Sequence, residues 1–410
     1  MITVSYHGVH QSYQLALAAE EAGVLSCFFC SFFDAPGKWG RRLSRLLGPE
    51  VLRNRRIEGI PDEKIIEHPW PELFFKARQR IQKLPSNAWI AVAQDFDRWA
   101  ARQLKMGNHR LLVAAENCAW QSFHEAGRLG MGKIYDCPGI NAEQLQETTH
   151  EAARRTGLPF VSVADTPEIT RRKEEEIGMA DVVLTYSEFH ADGVAVRGVP
   201  RENIRIVPLW TDPEFWSPVE EQRARRNSPL RLLFAGGINL RKGVPFLIEA
   251  ARRLAPAIHL TLVGSLDPDA KACLAGVEDF VTVLPPVTKE RLREIYRNHD
   301  VLVLPSLGDS FGFVAMEAMA CGLPVILTTH CGVPVPDPSW RVPVMDAGAI
   351  AERIRYYLDQ RERVAADGAR AREFAAAYTP ERYRRNIGAI FREILTGKKQ
   401  KSCTSKAAAL

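Results

Sequence analysis

The feature of this sequence that most constrains its fold is a repeated alternation of short apolar runs with longer segments of helical periodicity. In the first half, apolar runs of strand length occupy residues 2–6, 24–29, 110–115, 133–135, 160–164, 182–186 and 204–208. Helical patterns lie between them, at residues 11–22 (ending at Gly23) and 119–129. Because parallel strands need crossover connections, usually helices, this alternation predicts parallel sheets in an α/β fold.

A second alternating series follows a predicted hinge at residues 212–230. The hinge contains Pro213, Pro218 and Pro229 around a charged middle, a composition that breaks helices and anchors no core. Strands are expected at residues 231–235, 259–263, 301–305 and 324–328, and helices at residues 244–254, 288–298, 313–320 and 380–395. The predicted fold class is therefore α/β, with two Rossmann-like domains facing each other across a cleft.

Length and composition agree with two soluble domains. A chain of 410 residues exceeds what one hydrophobic core usually serves, and 46% apolar with 25% charged residues is ordinary globular composition. No apolar run reaches the ~18–20 residues that span a bilayer, and residues 1–6 do not resemble a secretory signal. The eight cysteines are scattered along the chain. Cys27 and Cys30 have the spacing of a metal or redox pair, but no second pair with zinc-site spacing accompanies them. All eight are therefore expected to be free thiols in a reducing, cytoplasmic compartment.

The net charge of +5 is unevenly distributed. The segment from Lys38 to Arg56 holds seven basic residues and one acid, which is +6, so the rest of the chain sums to −1. A uniformly basic nucleic-acid binder would not show this pattern. The same segment contains Trp39, Leu43, Leu46 and Leu47, which suits an interfacial helix on an anionic membrane; a solvated helix or loop fits equally well.

Two loops carry residues suited to binding a phosphorylated ligand. Residues 236–243 follow a predicted strand and precede a helix; Gly236 and Gly237 allow close backbone approach, and Arg241 and Lys242 can neutralise a diphosphate. Surface loops between strand and helix often hold such residues, so this loop alone is a weak signal. At the carboxyl ends of parallel strands, however, such loops are the usual ligand sites.

The second loop, residues 306–312, connects the predicted strand 301–305 to the helix that starts near Phe313. The free backbone amides of Gly312, Phe313 and Val314 favour an anionic oxygen. Glu317 suits the paired hydroxyls of a ribose, and Asp309 can accept hydrogen bonds from sugar hydroxyls. The alternatives are that Asp309 caps the helix and that Glu317 is a solvated helical residue.

Residues 309–326 resemble the donor-site signature of family 4 of the retaining glycosyltransferases, which have the GT-B fold. That signature consists of two acids separated by seven residues, a small-residue helix and Gly-x-Pro-Val-Ile, here Asp309, Glu317 and residues 318–326. Asp309 stands where glutamate is usual. Residues 180–187, 198–200 and 206–212, together with Phe215, resemble the segment that joins the family's domains, although Trp210-Thr211 replaces the usual Gly-Val before Asp212.

The resemblance covers roughly residues 160–375 and implies a retaining, metal-independent hexosyltransferase that uses a nucleotide-diphosphate sugar and no cofactor. Arg241 and Lys242 match the family's diphosphate clamp, while Gly237 occupies the place of a frequent arginine. In the family's usual mechanism the leaving diphosphate helps to deprotonate the acceptor hydroxyl, so no protein nucleophile is needed. The other substrate-binding positions that the resemblance implies in the donor half are Gly236, Ser310, Phe311, Gly312, Phe313 and Val314.

In the N-terminal half, Gly8 is the counterpart of the family's glycine-rich loop, and Asp136 would replace a histidine that touches the donor sugar. Glu116 is a lesser candidate on the acceptor side, and His124 is expected to be an ordinary helical residue. Two Asp-x-Asp pairs, Asp95/Asp97 and Asp267/Asp269, are not expected to bind metal.

The expected organisation is an acceptor-side domain at residues 1–211, a hinge at 212–230 and a nucleotide-sugar domain at 231–378. A C-terminal helix and basic tail at 379–410 would cross back to the first domain. Expected partners are the donor, a glycan or lipid-linked acceptor of cell-surface polysaccharide or lipopolysaccharide assembly, and the inner face of the plasma membrane, with no nucleic acid.

Three other functions stay open: a nucleotide-sugar epimerase, a disaccharide phosphorylase and a non-catalytic nucleotide-sugar-binding protein. A dehydrogenase is disfavoured because neither first-strand loop offers Gly-x-Gly-x-x-Gly.

Overall fold

The structure is a computed structural model that describes residues 1–9, 11–47, 55–82, 84, 88–160, 166–218 and 229–407. Most of the predicted strand at residues 160–164 and most of the predicted hinge lie outside the described residues. The same holds for part of the basic segment, including Arg53.

The first sheet has seven parallel strands. They are β1 (Ile2–Ser5), β2 (Leu25–Cys30), β3 (Ile65–Glu67), β4 (Leu111–Ala115), β5 (Gly132–Asp136), β6 (Val182–Thr185) and β7 (Ile204–Ile206). Their order in the sheet is β3-β2-β1-β4-β5-β6-β7. Apolar residues of the central strands are buried on both faces, which is why the strands read as continuous apolar runs in the sequence.

Eight helices accompany this sheet in the described residues. They are α1 (Ser12–Glu21), α2 (Trp39–Leu47), α3 (Trp70–Ile81), α4 (Trp89–Gln103), α5 (Trp120–Arg128), α6 (Ala142–Thr156), α7 (Pro167–Met179) and α8 (Glu188–Ala195). None of these described helices, nor those of the second sheet, combines the length and apolar composition that a membrane crossing requires.

The second sheet has six parallel strands in the order β10-β9-β8-β11-β12-β13. They are β8 (Leu230–Ala235), β9 (Ile258–Val263), β10 (Val281–Leu284), β11 (Val301–Leu304), β12 (Val325–Thr328) and β13 (Arg341–Val342). The accompanying helices are α9 (Val244–Arg252), α10 (Lys289–Arg297), α11 (Phe313–Ala320), α12 (Ala347–Asp359) and α13 (Glu362–Ala376). The predicted pair of parallel-sheet α/β domains is confirmed.

The last helix, α14 (Pro380–Ala407), lies against the first sheet's α1. Arg384 donates to the Glu21 carboxylate and to the Gln14 side-chain oxygen, each at 2.9 Å. The chain therefore returns to its N-terminal half after completing the second sheet.

Each sheet has one point where the strand order reverses, between β1 and β4 and between β8 and β11. In open parallel sheets the loops diverge at this point and leave a crevice at the carboxyl ends of the strands, where ligands bind. The loops at the second crevice are residues 236–243, after β8, and residues 305–312, after β11. The topology thus places both predicted phosphate-binding loops at one crevice.

Candidate active site

The loop after β8 is held by two aspartates of a neighbouring loop. Asp267 accepts a hydrogen bond from the Asn239 side-chain amide at 2.9 Å, and the Asn239 side-chain oxygen in turn accepts from the Lys242 amide at 2.9 Å. Asp269 accepts from the Leu240 amide at 3.2 Å. The second Asp-x-Asp pair of the sequence therefore fixes the shape of the loop that carries Arg241 and Lys242.

Gly243 immediately precedes α9 and brings the loop against Pro305, at the end of β11. Its φ of +70° lies in the left-handed region, and a Cβ atom there would stand 1.9 Å from the carbonyl oxygen of Pro305. The Leu307 amide donates to the Arg241 carbonyl at 2.9 Å, which ties the two loops together. Only glycine allows this close approach.

Lys242 and Asp309 form an ion pair across the crevice. Both side chains keep some exposure, so they are accessible from the crevice. Arg241 is partly buried beside Lys242, and its guanidinium has no carboxylate partner among the described residues. The crevice therefore holds one cation engaged by a carboxylate and a second cation available to an anionic ligand.

The loop carrying Asp309 continues into α11 through Gly312. The Asp309 amide donates to His330 and its carbonyl accepts from the Gly332 amide, both at 2.9 Å, so the neighbouring loop fixes the Asp309 backbone. Gly312 has a φ of +82°, and a Cβ there would lie 2.8 Å from the Cys331 sulfur. The first-turn amides of α11, at Phe313 and Val314, have no helical acceptor and point toward the loop.

Ser310 and Phe311 play different parts in this loop. Ser310 is partly exposed, while the Phe311 side chain is buried in the core and packs its ring 5.4 Å from that of Phe313. Any contact of Phe311 with a ligand would therefore come from its backbone. Phe313 is exposed at the start of the helix.

Glu317 lies one turn into α11 and is partly buried. It accepts a hydrogen bond from the hydroxyl of the fully buried Tyr296 at 3.2 Å. Burial raises the pKa of Glu317 to about 7, although the Tyr296 hydrogen bond and the charge of Lys289 oppose the change. A carboxylate with one engaged oxygen and a raised pKa gains from any further hydrogen-bond donor, such as a ribose hydroxyl.

The N-terminal half contacts the loops of this crevice at three points. The Ser187 hydroxyl donates to the Ser310 carbonyl at 2.9 Å, and a Cβ on Gly308 would lie 2.6 Å from Ile140 Cδ1. Phe189 stacks on His330 with ring centroids 4.9 Å apart. A cavity of about 510 Å³ lies beside these contacts, between Tyr186 and Phe189 on one side and Gly332 and Arg341 on the other.

Asp136, at the end of β5, is almost completely buried, with 1% of its surface exposed. One carboxylate oxygen accepts a hydrogen bond from the Tyr186 hydroxyl at 2.9 Å. In this conformation the predicted sugar-contacting residue therefore faces a tyrosine rather than solvent. Glu116, the lesser candidate on the acceptor side, forms an ion pair with Lys173. His124 is an exposed residue of α5.

Buried polar atoms with no hydrogen-bond partner among the described residues line the carboxyl edge of the first sheet. These atoms lie near the switch point, at the ends of β1, β2 and β4 and at the start of α1. They belong to Ser5, His7, Gln11, Ser12, Ser31 and Asn117. Gly8 lies in the same loop, where an added Cβ would stand 3.0 Å from the Tyr6 ring. Burial lowers the pKa of His7 to about 4, so its ring is neutral at pH 7. This polar edge offers uncharged donors and acceptors.

The first Asp-x-Asp pair has a structural role in the same half. Asp97 is fully buried and accepts from the Ser122 amide at 3.0 Å and from its hydroxyl at 2.7 Å, which caps α5. Asp95 is exposed and pairs with Arg98. Sequence reasoning singled out neither the Asp97 cap nor the contacts of Ser187 and Tyr296, because their partners are 25, 123 and 21 residues away.

Residues 229–360 match the family model described as Glycosyl transferases group 1. A D-inositol 3-phosphate glycosyltransferase of Mycobacteroides abscessus is 35% identical over 45% of this chain and 48% of its own. One of Paenarthrobacter aurescens is 29% identical over 78% of this chain and 75% of its own. Over residues 229–360 the chain belongs to the group 1 glycosyl transferases. It nevertheless spans only about half the length of the relatives that it matches at 35–36% identity.

Solved structures show the same fold for this group 1 member. Sucrose-phosphate synthase from Thermosynechococcus elongatus superposes with a TM-score of 0.65 at 22% identity, covering 97% of this chain and 99% of that one. Anabaena HepE in complex with UDP superposes with a TM-score of 0.60 at 14% identity over 97% and 99%. The fold is GT-B, as the resemblance implied.

Proposed function

We propose that this group 1 member is a hexosyltransferase that takes a sugar from a nucleoside-diphosphate donor and gives it to a hydroxyl of a glycan or lipid-linked acceptor. The observation that carries the proposal is the crevice between β8 and β11. There Arg241, the Lys242–Asp309 pair and the amino terminus of α11 converge. Two cations and a helix amino terminus suit a diphosphate.

The donor would lie along this crevice with its parts assigned by charge. Its diphosphate would face Arg241 and Lys242, so that Lys242 exchanges part of its ion pair with Asp309 for phosphate oxygens. Asp309, released from that lysine, would accept hydrogen bonds from sugar hydroxyls. One oxygen of Glu317 receives the Tyr296 hydroxyl, and the other would accept hydrogen bonds from the ribose hydroxyls.

The acceptor would lie on the polar edge of the first sheet, opposite the donor loops. The unpartnered buried atoms there belong to hydroxyl, amide and neutral imidazole groups, of which Ser5, His7 and Asn117 are examples. Such atoms cost free energy when unpaired, so a ligand that supplies hydroxyl groups would satisfy them. This chemistry favours a polyhydroxylated acceptor.

In the proposed reaction the bond between the sugar's anomeric carbon and the diphosphate oxygen breaks as the acceptor oxygen bonds to that carbon. The acceptor proton passes to the leaving diphosphate, on the same face, so the anomeric configuration is retained. Arg241 and Lys242 stabilise the charge that develops on the diphosphate, and the crevice positions the two substrates. No metal takes part in this scheme.

Donor binding is tested by measuring thermal unfolding of the protein in the presence of UDP-, GDP- and ADP-sugars. A donor at 100 times its Kd stabilises the fold by about 2.7 kcal/mol, which raises Tm by about 5–10 °C. UDP-glucose is the first to try, because UDP is the nucleotide in the Anabaena complex. If none of the nucleotide sugars changes Tm, the proposal is wrong.

Transfer is then followed by NMR with candidate glycan and lipid-linked acceptors, which also reports the anomeric configuration of the product. Addition of EDTA should leave the rate unchanged. Interconversion of two nucleotide sugars without an acceptor would indicate an epimerase, and consumption of a disaccharide with inorganic phosphate would indicate a phosphorylase. Donor binding without any turnover across the acceptor panel would indicate a binding protein.

A further inference from the structure

Helix α3 carries a stripe of apolar side chains that points into solvent. Trp70, Phe74, Ala77 and Ile81 follow the spacing i, i+4, i+7, i+11, which at 100° per residue places them within about 60° of arc on one side of the helix. Trp70 is 48% exposed, Phe74 68% and Ile81 87%. A helix on a globular surface normally turns such a stripe toward the core.

The opposite side of α3 holds the helix to the protein, so its orientation is fixed. Glu72, about 140–180° from the residues of the apolar stripe, is buried and forms ion pairs with Arg55 at 2.8 Å and with Lys76 at 3.0 Å. Arg55 also donates to the carbonyl of His7 at 3.3 Å. A buried anchor therefore presents the stripe outward, and its Phe74 and Ile81 side chains stay mostly exposed.

Helix α2 extends the same surface. Trp39, which begins α2, is exposed and meets Trp70 edge to face with ring centroids 5.3 Å apart. The guanidinium of Arg42 lies over the Trp39 ring at 5.0 Å. We call this area the α2–α3 surface, and its principal residues are Trp39, Arg42, Trp70, Phe74, Arg78 and Ile81.

The charge of the α2–α3 surface is positive. The nearby acids are engaged: Asp34 pairs with Arg41, Glu72 with Arg55 and Lys76, and Glu67 accepts the amides of Phe33, Trp39 and Gly40. Arg42, Arg78 and Arg80, in contrast, have no carboxylate partner in the described part of the chain. Exposed apolar residues bordered by unpaired arginines are typical of surfaces that bind anionic lipid.

We propose that the α2–α3 surface binds an anionic lipid bilayer. Phe74, Ile81 and the Trp39–Trp70 pair enter the boundary between headgroups and acyl chains, and Arg42, Arg78 and Arg80 contact lipid phosphates. The apolar stripe and the free arginines lie on the same surface, and a bilayer complements both. The charge pattern of the sequence pointed only to residues 38–56, which include α2, whereas the most exposed apolar side chains of this surface, Phe74 and Ile81, belong to α3.

The proposal also bears on the acceptor, in a step that rests on the proposed function. Through Arg55, α3 is joined to His7, which lies on the polar edge of the first sheet. A bilayer bound to α3 would therefore lie close to the proposed acceptor site, which suits a lipid-linked acceptor. Bilayer binding itself requires no turnover, so it can fail or succeed independently of glycosyl transfer.

The test is flotation of the full chain with vesicles of phosphatidylcholine containing 30% phosphatidylglycerol, compared with phosphatidylcholine alone, at about 0.1 M salt. We expect binding to the anionic vesicles that weakens as salt rises. The double variant Phe74→Ser/Ile81→Ser and the double variant Arg78→Gln/Arg80→Gln should each weaken binding about tenfold or more. Both pairs project into solvent, so Tm should change little.

Matched controls are Val196→Ser, which removes a side chain that is 83% exposed on another face, and Arg128→Gln on α5. Both should bind as the unmodified chain does, and the C-terminal lysines are present in every variant. Equal binding to neutral vesicles, or equal binding by the α3 variants, would overturn the proposal. So would self-association in sedimentation without lipid that the α3 variants abolish, since the occupant would then be a second copy of the chain.

Discussion

Replacement of Glu317 by glutamine should stabilise the unliganded protein and weaken donor binding. Burial raises the pKa of Glu317 from an ordinary 4.5 to about 7. In this range the folded state binds a proton that the unfolded state has released, so stability falls as pH rises from 4.5 to 7. The full difference corresponds to about 3 kcal/mol above pH 7. Because Glu317 is only partly buried, we expect about 1–3 kcal/mol.

Glutamine keeps an oxygen that can accept the Tyr296 hydroxyl, so Glu317→Gln removes the charge and little else. At pH 8 without nucleotide the variant should unfold at higher urea concentration than the unmodified protein, and at pH 5 the two should agree. A variant that is less stable at pH 8 would show that the ionised carboxylate contributes favourable contacts outweighing the cost of its burial.

Donor binding should show the opposite dependence. Ribose hydroxyls favour the ionised carboxylate, so nucleotide affinity should fall by up to tenfold per pH unit below about 7. Titration calorimetry from pH 5.5 to 8.5, in buffers of different ionisation enthalpy, measures both affinity and released protons. The nucleotide's own phosphate also titrates here; the Glu317→Gln variant reports that contribution alone. Identical pH profiles for the two proteins would refute the ribose assignment.

Three further predictions concern the loops and their supports. Lys242→Met should weaken binding of a nucleoside diphosphate about 10- to 100-fold in calorimetry and leave the affinity for the nucleoside nearly unchanged. The control Lys271→Met, at an exposed site in the same half, should change neither affinity. Gly243→Ala should lower the free energy of unfolding in urea by about 3 kcal/mol or more, because its Cβ meets the Pro305 carbonyl. Gly23→Ala, with nearly the same positive φ but open space around the Cβ, should lower it by about 1–2 kcal/mol. Equal losses would show that the backbone conformation, and not the clash with Pro305, sets the cost. Asp97→Ala should destabilise by about 3 kcal/mol or more and Asp95→Ala by less than about 0.5 kcal/mol, a contrast that a metal site using both acids would not give.

The elements around the donor crevice were predictable because local sequence determines them. The helix expected at residues 313–320 matches α11, since a run of small apolar residues is bounded by Gly312 and Gly322. The first strand and helix differ from prediction by one residue at their ends. Buried parallel strands give continuous apolar runs, and glycines with positive φ mark the helix ends.

Other elements were missed for physical reasons. Strand β3 has three residues, and β10 has four, of which Thr282 and Val283 are exposed, so neither gives a strong apolar run. Helix α3 was missed although its apolar stripe has helical spacing; its orientation, with the stripe outside and the charged Glu72 inside, is the reverse of the usual pattern, and spacing alone does not reveal it. The Tyr296–Glu317 hydrogen bond joins two helices, and no local pattern specifies such a contact.

The assignments of Asp309, Glu317 and the Arg241–Lys242 clamp stay predictions about ligand contact. For Asp136, strand counting found the end of β5 correctly, but only the three-dimensional structure shows that its carboxylate meets Tyr186 from the adjacent strand's end. The side chain's direction depends on the packing of β5 against β6, which spacing along the sequence does not record.

The contact between Ser187 and Ser310, with Gly308 set against Ile140, has a consequence for exchanging parts between relatives. A chimera made by joining one member's N-terminal half to another's C-terminal half would keep every strand and helix intact. It would still fail to close if a larger residue replaced Gly308 or if Ser187 were lost. Productive recombination within this family should therefore depend less on the junction in the hinge than on inheriting these facing loops as a matched set.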